Sequence, residues 1–349
     1  MPEDNLLKLA SWHPSSESMQ VTTIDAHTGG EPLRIITGGL PPLEGSTILE
    51  MRRFMKTHLD QYRKALMWEP RGHADMYGCI ITPPVTEEAD FGVLFLHNEG
   101  YSTMCGHGII AVTKVVLECG MIPIKHPITQ VNIDSPAGLI RATANIKNTK
   151  VESVSFINVP SFVQALDQVV EVPGLGKINY DIAYGGAFYA YVNARKAGVG
   201  LLPKDHDELI KKGMAIKRAV MEQFIFKHPF EPDLNFLYGT IFIGDATSSQ
   251  ANSRNVCIFA EGEVDRSPTG TGVSGRLALH YARGDIKIGE PIVIESIVGS
   301  SFKCSINEVT QFGPYKAVIP KVEGKAYITG KHTFIMDPED PLREGFIFR

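Results

Sequence analysis

Short apolar segments alternate with glycine-rich turns from Val21 onward, and this pattern predicts a chain made mainly of strands. The segments are rich in Val, Ile and Thr and end at Gly, Pro, Asn or Asp; they read VTTIDAHTGG, LRIITGG, GCIITPP, GVLFLHNEG, QVNIDSPAG and LIRATANI. Apolar positions at helical spacing are fewer, and they predict helices over 47–67, over 205–226 and directly after Cys105 and Thr269. Many short strands with few helices favour an α+β fold over a regular βαβ alternation.

An internal repeat emerges when the chain is shifted by the 164 positions that separate Cys105 from Thr269. Each copy reads as a strand, a polar loop and a short turn that opens a helix. The shift aligns Phe95 with Phe259, Cys105 with Thr269, Gly106 with Gly270, and Gly108 with Gly272. A coincidence in a glycine-rich chain is one explanation. We favour the other, in which two similar half-molecules present the same turn to a shared cleft.

Length, charge and cysteine usage narrow the class of protein. The 349 residues suggest about two domains. Basic and acidic residues are interspersed, 34 against 39, so nucleic acid and anionic membranes are poor candidates as partners. The first residues lack the layout of a signal peptide, and no apolar run approaches the roughly 18–20 residues that span a bilayer. Five cysteines without a CxxC pair fit a reducing compartment, so we expect a soluble, cytoplasmic protein.

The two repeated turns have the chemistry of anion sites. The first backbone N–H groups of a helix have no partner within the helix and lie at the positive end of its dipole. Glycines let a ligand approach this backbone closely. One such helix start can bind a carboxylate. Two that converge would hold a small carboxylate between the halves, with its α-carbon in the middle.

Cys105 opens the first helix, where the dipole is expected to lower the thiol pKa and make a thiolate available near neutral pH. Such a thiolate can act as a nucleophile or as a general base, and His107 could stabilise it or bind the substrate. The alternative is a buried structural cysteine. Thr269, at the matching position of the second helix, carries a hydroxyl that is too weakly acidic to be a base. The pair therefore favours a reaction with one proton abstraction, such as β-elimination, over a racemisation.

These residues carry a resemblance to a known family. MCGHG at 104–108 and DRSPTGTG at 265–272 resemble the paired signatures of the proline racemase family. The blocks HTGGEP, EPRGH, HNEGY and YGGAFY are similar to other blocks of that family, and the likeness runs from about residue 20 to the C-terminus. Family racemases carry a cysteine in both signatures. Thr269 in place of the second cysteine resembles the trans-3-hydroxy-L-proline dehydratase branch.

The resemblance implies a set of roles and an architecture. Cys105 is the expected proton acceptor, and the expected substrate-binding positions are Gly106, His107, Asp265, Gly270 and Thr271. Asp265 would receive the ring ammonium of the substrate, although an acid in a turn of this kind can also be a plain loop residue.

The implied fold is two pseudo-symmetric halves, each a curved mixed sheet around a central helix, as in diaminopimelate epimerase. We expect a polar tail (1–19), an N-terminal half (20–150, joined by 335–349) and a C-terminal half (151–334).

The implied activity is a hydro-lyase reaction on hydroxyproline, without metal or organic cofactor, in a chain that can form a homodimer. The alternative functions are a proline racemase or 4-hydroxyproline 2-epimerase, a cysteine hydrolase, and a non-catalytic protein that binds amino acids.

Two sequence patterns that suggest a cofactor or a metal are weak. GTGVSG at 270–275 matches a dinucleotide-binding pattern without the surrounding βαβ unit. His73 with Asp75 only suggests a metal pair, and His27 has no assigned role. Phe188 and Tyr189 are expected in the core.

Overall fold

The structure, a computed structural model, describes residue 9 and residues 11–348. Its helices are α1 (Ile48–His58), α2 (Asp60–Met67), α3 (Gly106–Glu118), α4 (His206–Gln223) and α5 (Gly270–Arg283). Short 3-10 turns cover Pro203–Asp205 and Pro232–Leu234. Of the predicted polar tail 1–19, residues 1–8 and 10 lie outside the described residues.

Strands make up most of the remaining regular structure, which confirms the α+β prediction. The strands are β1 (Met19–Thr28), β2 (Glu31–Gly38), β3 (Gly78–Thr82), β4 (Phe91–Leu96), β5 (Tyr101–Ser102), β6 (Ile128–Ser135), β7 (Gly138–Lys147), β8 (Lys150–Ile157), β9 (Ser161–Val172), β10 (Gly176–Tyr184), β11 (Phe188–Asn193), β12 (Leu237–Gly244), β13 (Ser253–Phe259), β14 (Glu263–Val264), β15 (Ile292–Glu295), β16 (Ser301–Phe312), β17 (Tyr315–Gly324) and β18 (Ala326–Met336). None of the helices in the described part of the chain is both long and apolar enough to cross a membrane.

The predicted helix over 47–67 is two helices, and this is a correction. The backbone of Leu59 leaves the helical region, with φ −128° and ψ 15°, so α1 ends there and α2 begins at Asp60. The Asp60 carboxylate accepts hydrogen bonds from Arg63 and from the hydroxyl of Tyr101, at 2.6 and 2.9 Å. Position 59 has neither Gly nor Pro, so the sequence gives no local signal for this break. The other three predicted helices are confirmed as α3, α4 and α5.

The predicted repeat is present in the order of strand pairings. β2 pairs parallel with β3, β3 antiparallel with β4, and β4 parallel with β6. The same sequence of pairings recurs later, parallel from β11 to β12, antiparallel from β12 to β13, and parallel from β13 to β15. The helices α3 and α5 begin 164 residues apart, at Gly106 and Gly270. Two copies of one supersecondary unit therefore explain the sequence repeat.

The chain returns to its first strand earlier than predicted. β18 pairs with β1 along its whole length, from Thr28 opposite Ala326 to Met19 opposite Met336. The returning segment thus begins at Ala326 and not at 335, because β18 is one continuous strand across the predicted boundary. The boundary between 150 and 151 falls at the first residue of β8, which pairs with both β7 and β17. The division of the chain into two halves at that point stays a prediction.

Each repeat surrounds one central helix. Every residue of α3 from Gly106 to Thr113 is buried, and the helix packs against β1, β7 and β8. A helix that is apolar on all sides needs such an environment, because no face of it suits water. α5 is packed in the same way against β9, β10 and β17. In the described part of the chain, the strands around the two helices belong to one continuous 18-stranded sheet, and this packing brings the N-termini of both helices together.

The two helix starts touch through their glycines. A Cβ atom built on Gly106 would lie 2.5 Å from the Cα of Gly270, and a Cβ on Gly270 would lie 2.5 Å from the Cα of Gly106. Both distances are to backbone atoms, which cannot rotate away as a side chain can. Only glycine at both positions allows this approach.

Gly106→Ala should force the two helix starts apart and lower the free energy of unfolding by about 1–3 kcal/mol, the usual cost of an overpacked core. Urea unfolding of the variant and the wild type measures the difference. Gly100→Ala is the matched control, because a Cβ at Gly100 meets no atom within 4 Å. Equal stability of the two variants would contradict the inferred contact.

Candidate active site

Cys105 and Thr269 are the residues that precede the first turns of α3 and α5, and both are only 5% exposed. The Cys105 sulfur accepts a hydrogen bond from the N–H of Gly108 at 3.3 Å, and so it caps its helix. The structure thus places the predicted pair at two helix starts that are in direct contact. The unpaired N–H groups of both helices lie around one small volume.

His107 packs directly beside the thiol. Its Nδ1 atom is 3.2 Å from the Cys105 sulfur, and its Nε2 atom is 3.2 Å from the carbonyl oxygen of Pro32. A carbonyl can only accept, so the ring carries its proton on Nε2 and turns an unprotonated Nδ1 toward the thiol. Burial lowers the pKa of His107 to about 3, which keeps the imidazole neutral. The thiol therefore donates its proton into a hydrogen bond with His107.

The pKa of Cys105 corrects the sequence-based expectation. Burial raises the pKa of this thiol well above its ordinary value, and the hydrogen bonds from Gly108 and Tyr77 lower it by less. The carboxyl groups of Asp265 and Glu31 raise it further. In the ligand-free site Cys105 is therefore a thiol, because the helix dipole does not outweigh the loss of water.

Thr269 stands in a strained conformation. Its φ is +67°, a region that β-branched residues rarely adopt. Its buried hydroxyl lies close enough to the Asp265 carboxyl to lower the pKa of that group, but it makes no hydrogen bond of regular geometry with the described residues. A strained backbone beside a buried hydroxyl is typical of a functional site.

Two buried carboxyl groups lie near the helix starts. Asp265 accepts a 2.7 Å hydrogen bond from the N–H of Ser267, yet burial raises its pKa to about 6. Glu31 accepts a 2.7 Å hydrogen bond from the N–H of Arg266, and burial together with the nearby Asp265 raises its pKa well above the ordinary value. One oxygen of Glu31 has no hydrogen-bond partner in the described part of the chain. A positively charged ligand group would stabilise both carboxylates.

A small cavity of about 20 Å³ lies between the helix starts. It is lined by all seven sequence-predicted site residues, by one methionine and by four aromatic residues: Cys105, Gly106, His107, Asp265, Thr269, Gly270, Thr271, Met104, Tyr77, Tyr189, Tyr238 and Phe259. This volume suits about one water molecule. A ring amino acid needs more room, so surrounding segments must move apart when such a ligand binds.

The sequence reading missed part of this cavity. Tyr189, expected in the core, lines the cavity, and its hydroxyl is 2.7 Å from that of Thr271. Phe188 is in the core, as expected. Glu31 was not singled out, although it lies in the block HTGGEP. Its position beside Arg266 depends on a contact between residues 235 positions apart, which no local pattern reveals.

The suggested metal pair has other partners. The Asp75 carboxylate forms an ion pair with Arg266 at 2.8 Å, and the N–H of Asp75 donates to Nδ1 of His73. His27 stacks on Tyr327, with 5.4 Å between ring centres, outside the cavity. Within residues 11–348 no group of three His, Cys, Asp or Glu side chains is arranged to hold a metal ion.

Comparison with known proteins is consistent with this geometry. A sequence model of the family described as proline racemase matches residues 23–347. The trans-3-hydroxy-L-proline dehydratase of Colwellia psychrerythraea is 51% identical over 346 residues, which cover 98% of each chain. The 3-hydroxyproline 2-epimerase of Burkholderia multivorans is 45% identical over 332 residues, covering 95% of this chain and 99% of that one.

A solved structure shares the fold. It is the crystal structure of a hydroxyproline epimerase from Agrobacterium vitis with bound trans-4-hydroxy-L-proline. The two chains superpose with a TM-score of 0.89 at 31% identity, over 95% of this chain and 96% of the other. The likeness confirms the predicted two-half architecture.

Asp265→Asn should stabilise the folded protein in a pH-dependent way. A pKa of about 6 means that the folded state keeps a proton that the unfolded chain has released, so stability falls as the pH rises from about 4 through 6. Above that window the ionised group costs up to about 3 kcal/mol, which asparagine avoids. Urea unfolding at pH 4.5 and at pH 8 measures the gain, with the exposed Asp207→Asn as control. A gain of the same size at both pH values would contradict the buried charge.

Proposed function

The chain belongs to the proline racemase family, and from this membership we propose that it dehydrates trans-3-hydroxy-L-proline to a pyrroline-2-carboxylate. One observation supports dehydration over the other reactions of the family. Of the two side chains at the touching helix starts, Cys105 can ionise and Thr269 cannot. A single base on one face of the ring suits an elimination, in which one α-proton is removed and the 3-hydroxyl leaves.

Substrate binding would supply the charge that the ligand-free site lacks. The substrate carboxylate accepts hydrogen bonds from the N–H groups that open α3 and α5, near Gly106, Gly270 and Thr271. Its ring ammonium lies against Asp265, with Glu31 behind. A cation at that place offsets the two carboxylates that now raise the pKa of Cys105. The ammonium therefore shifts Cys105 toward the thiolate when substrate binds, and the thiol proton is released to water as the site opens to admit the ligand.

The thiolate then removes the α-proton. Negative charge develops on the substrate carboxylate, and the two helix starts stabilise it as an oxyanion hole does. The hydroxyl at C3 departs as the Cα–Cβ double bond forms, and the enamine rearranges to the cyclic imine. No step requires a metal or an organic cofactor.

Epimerisation of hydroxyproline is the second candidate, because the relative from Burkholderia multivorans carries that name. Epimerisation needs a proton donor on the Thr269 face of the ring, and the threonine hydroxyl is a weak donor.

A cysteine hydrolase is less well supported. His107, which would be its base, hydrogen-bonds to the backbone of Pro32, and among the described residues no acidic side chain bonds to its ring. A non-catalytic protein that binds amino acids would bind hydroxyproline and leave it unchanged.

Two features of the proposal concern the protein as a whole. A cytoplasmic location is supported by cysteines that form no disulfide among themselves. A homodimer stays a prediction from the family resemblance.

The direct test is incubation with trans-3-hydroxy-L-proline, followed by detection of the imine product with an aminobenzaldehyde reagent. Wild type should form product, also after dialysis against EDTA. Cys105→Ser should keep its fold and lose at least about 10³-fold in rate, because a serine hydroxyl does not ionise near pH 7. Product formation by Cys105→Ser near the wild-type rate would overturn the role of Cys105. Activity that EDTA abolishes and a metal restores would overturn the metal-free mechanism.

Thr269→Cys should add a second base on the opposite face. The thiol is similar in size to the hydroxyl it replaces, and cysteine lacks the β-branch that makes a φ of +67° costly. The variant should gain measurable epimerisation of L-proline or trans-4-hydroxy-L-proline, while its dehydration rate falls or persists. Chiral chromatography measures the products, and Thr269→Ser, without an ionisable group, is the control. Rapid interconversion of proline enantiomers by wild type would show that Thr269 does not decide the reaction.

A further inference from the structure

Tyr77 places a hydroxyl beside the thiol of Cys105. The side chain is 2% exposed and lines the same cavity, and its ring meets that of His107 edge-on, with 4.8 Å between ring centres. Its hydroxyl is close enough to Cys105 to lower the pKa of that thiol as a hydrogen-bond donor. Tyr77 therefore stands on the same side of the cavity as the base.

Two more hydroxyls lie behind Tyr77, and one direction of the hydrogen bonds among them leaves the Tyr77 proton on the cavity side. The Tyr77 hydroxyl contacts that of Ser102, and the Ser102 hydroxyl is 2.6 Å from that of Tyr238. Each hydroxyl has one hydrogen to donate. When Tyr238 donates to Ser102 and Ser102 donates to Tyr77, the hydrogen of Tyr77 is left for the cavity side, where it reaches the Cys105 sulfur or a bound ligand. Ser102 is completely buried and does not line the cavity.

The stereochemistry of the substrate brings its 3-hydroxyl to this side. In trans-3-hydroxy-L-proline the hydroxyl is trans to the carboxylate, so it lies on the same ring face as the α-hydrogen. That face must turn toward Cys105, since Cys105 removes the α-hydrogen. The departing oxygen is then on the side of Tyr77 and away from Thr269.

His107 and Thr269 are poor proton donors for this oxygen. His107 turns an unprotonated Nδ1 toward the site and uses its Nε2 proton for the carbonyl of Pro32. Its neutral ring has no further proton to give. Thr269 faces the opposite side of the ring. Cys105 holds the proton that it took from the α-carbon, and its sulfur lies close to the oxygen of Tyr77.

On the premise of the proposed dehydration, we infer that Tyr77 is a catalytic residue that passes the proton of Cys105 to the leaving hydroxyl. The S–H bond of Cys105 breaks, and its proton goes to the oxygen of Tyr77. The O–H proton of Tyr77 goes to the 3-hydroxyl, which leaves as water. The electron pair of the carbanion forms the new double bond as the C–O bond breaks. The thiolate is restored, and no other proton source is required.

The test separates α-proton removal from loss of water. In D₂O, Tyr77→Phe should still exchange the α-hydrogen of trans-3-hydroxy-L-proline, whereas its dehydration rate should fall about 10²-fold, as for loss of a general acid. Mass spectrometry of the remaining substrate gives the exchange, and the imine assay gives the dehydration. The ratio of exchange to dehydration should rise at least tenfold. The isotope effect of α-deuterated substrate on dehydration should shrink toward one, because the loss of water becomes rate-limiting.

Two further variants complete the experiment. Ser102→Ala removes the hydroxyl that orients Tyr77 without changing the cavity wall, and it should raise the same ratio by a smaller factor. Tyr184→Phe is the matched control and should leave the ratio unchanged, because the buried Tyr184 hydroxyl makes no hydrogen bond with the described residues and lies outside the cavity. If Tyr77→Phe does not fold, the ratio of exchange to dehydration in Ser102→Ala provides the test instead.

Three results are distinguishable. Dehydration by Tyr77→Phe within about threefold of wild type would overturn the inference, since Cys105 then protonates the hydroxyl alone. Equal losses of exchange and dehydration would also overturn it, because Tyr77 would then only support the thiolate. A wild type that forms no imine at all would refute the proposed function itself.

Discussion

The contact between the backbones of Gly106 and Gly270 is the constraint on which the site depends. It fixes the distance between two helix starts, and with it the positions of Cys105 and Thr269, which cap them. Because backbone meets backbone, no side-chain rotation can relax this distance. The buried helices α3 and α5 and the strands around them hold the two glycines together. The geometry of the cavity is therefore set by the packing of the whole molecule, and in the proposed function the side chains of Cys105 and Thr269 decide which reaction follows.

In the cavity between the helix starts, burial opposes the ionisation of the acidic groups. Burial raises the pKa values of Cys105, Asp265 and Glu31 together. All three groups thus tend to hold protons until an ion of opposite sign arrives. In the proposed function a zwitterionic amino acid brings both signs at once, a carboxylate for the helix starts and an ammonium for the acids. Such a ligand would favour the charged forms of these groups.

The sequence predicted the repeat, the central helices and the pair of Cys105 and Thr269, because each of these leaves a local pattern of apolar residues and glycines. It did not predict the break at Leu59, where a tertiary hydrogen bond to Asp60 overrides helical spacing. It predicted a low pKa for Cys105 from the helix start alone. The structure reverses the direction, since burial depends on residues far away in the chain. Glu31 and Tyr77 were missed for the same reason.

The pairing of β18 with β1 has a consequence for the order in which the protein can be assembled. The first strand gains this neighbour only from residues 326–336, near the end of the chain. During synthesis on a ribosome, the early sheet must therefore wait with an open edge until nearly all other strands have been made. Such distant pairing also slows folding, because a long loop has to close before the contact forms. A nascent chain of this protein is most exposed to wrong partners just before its last strand appears.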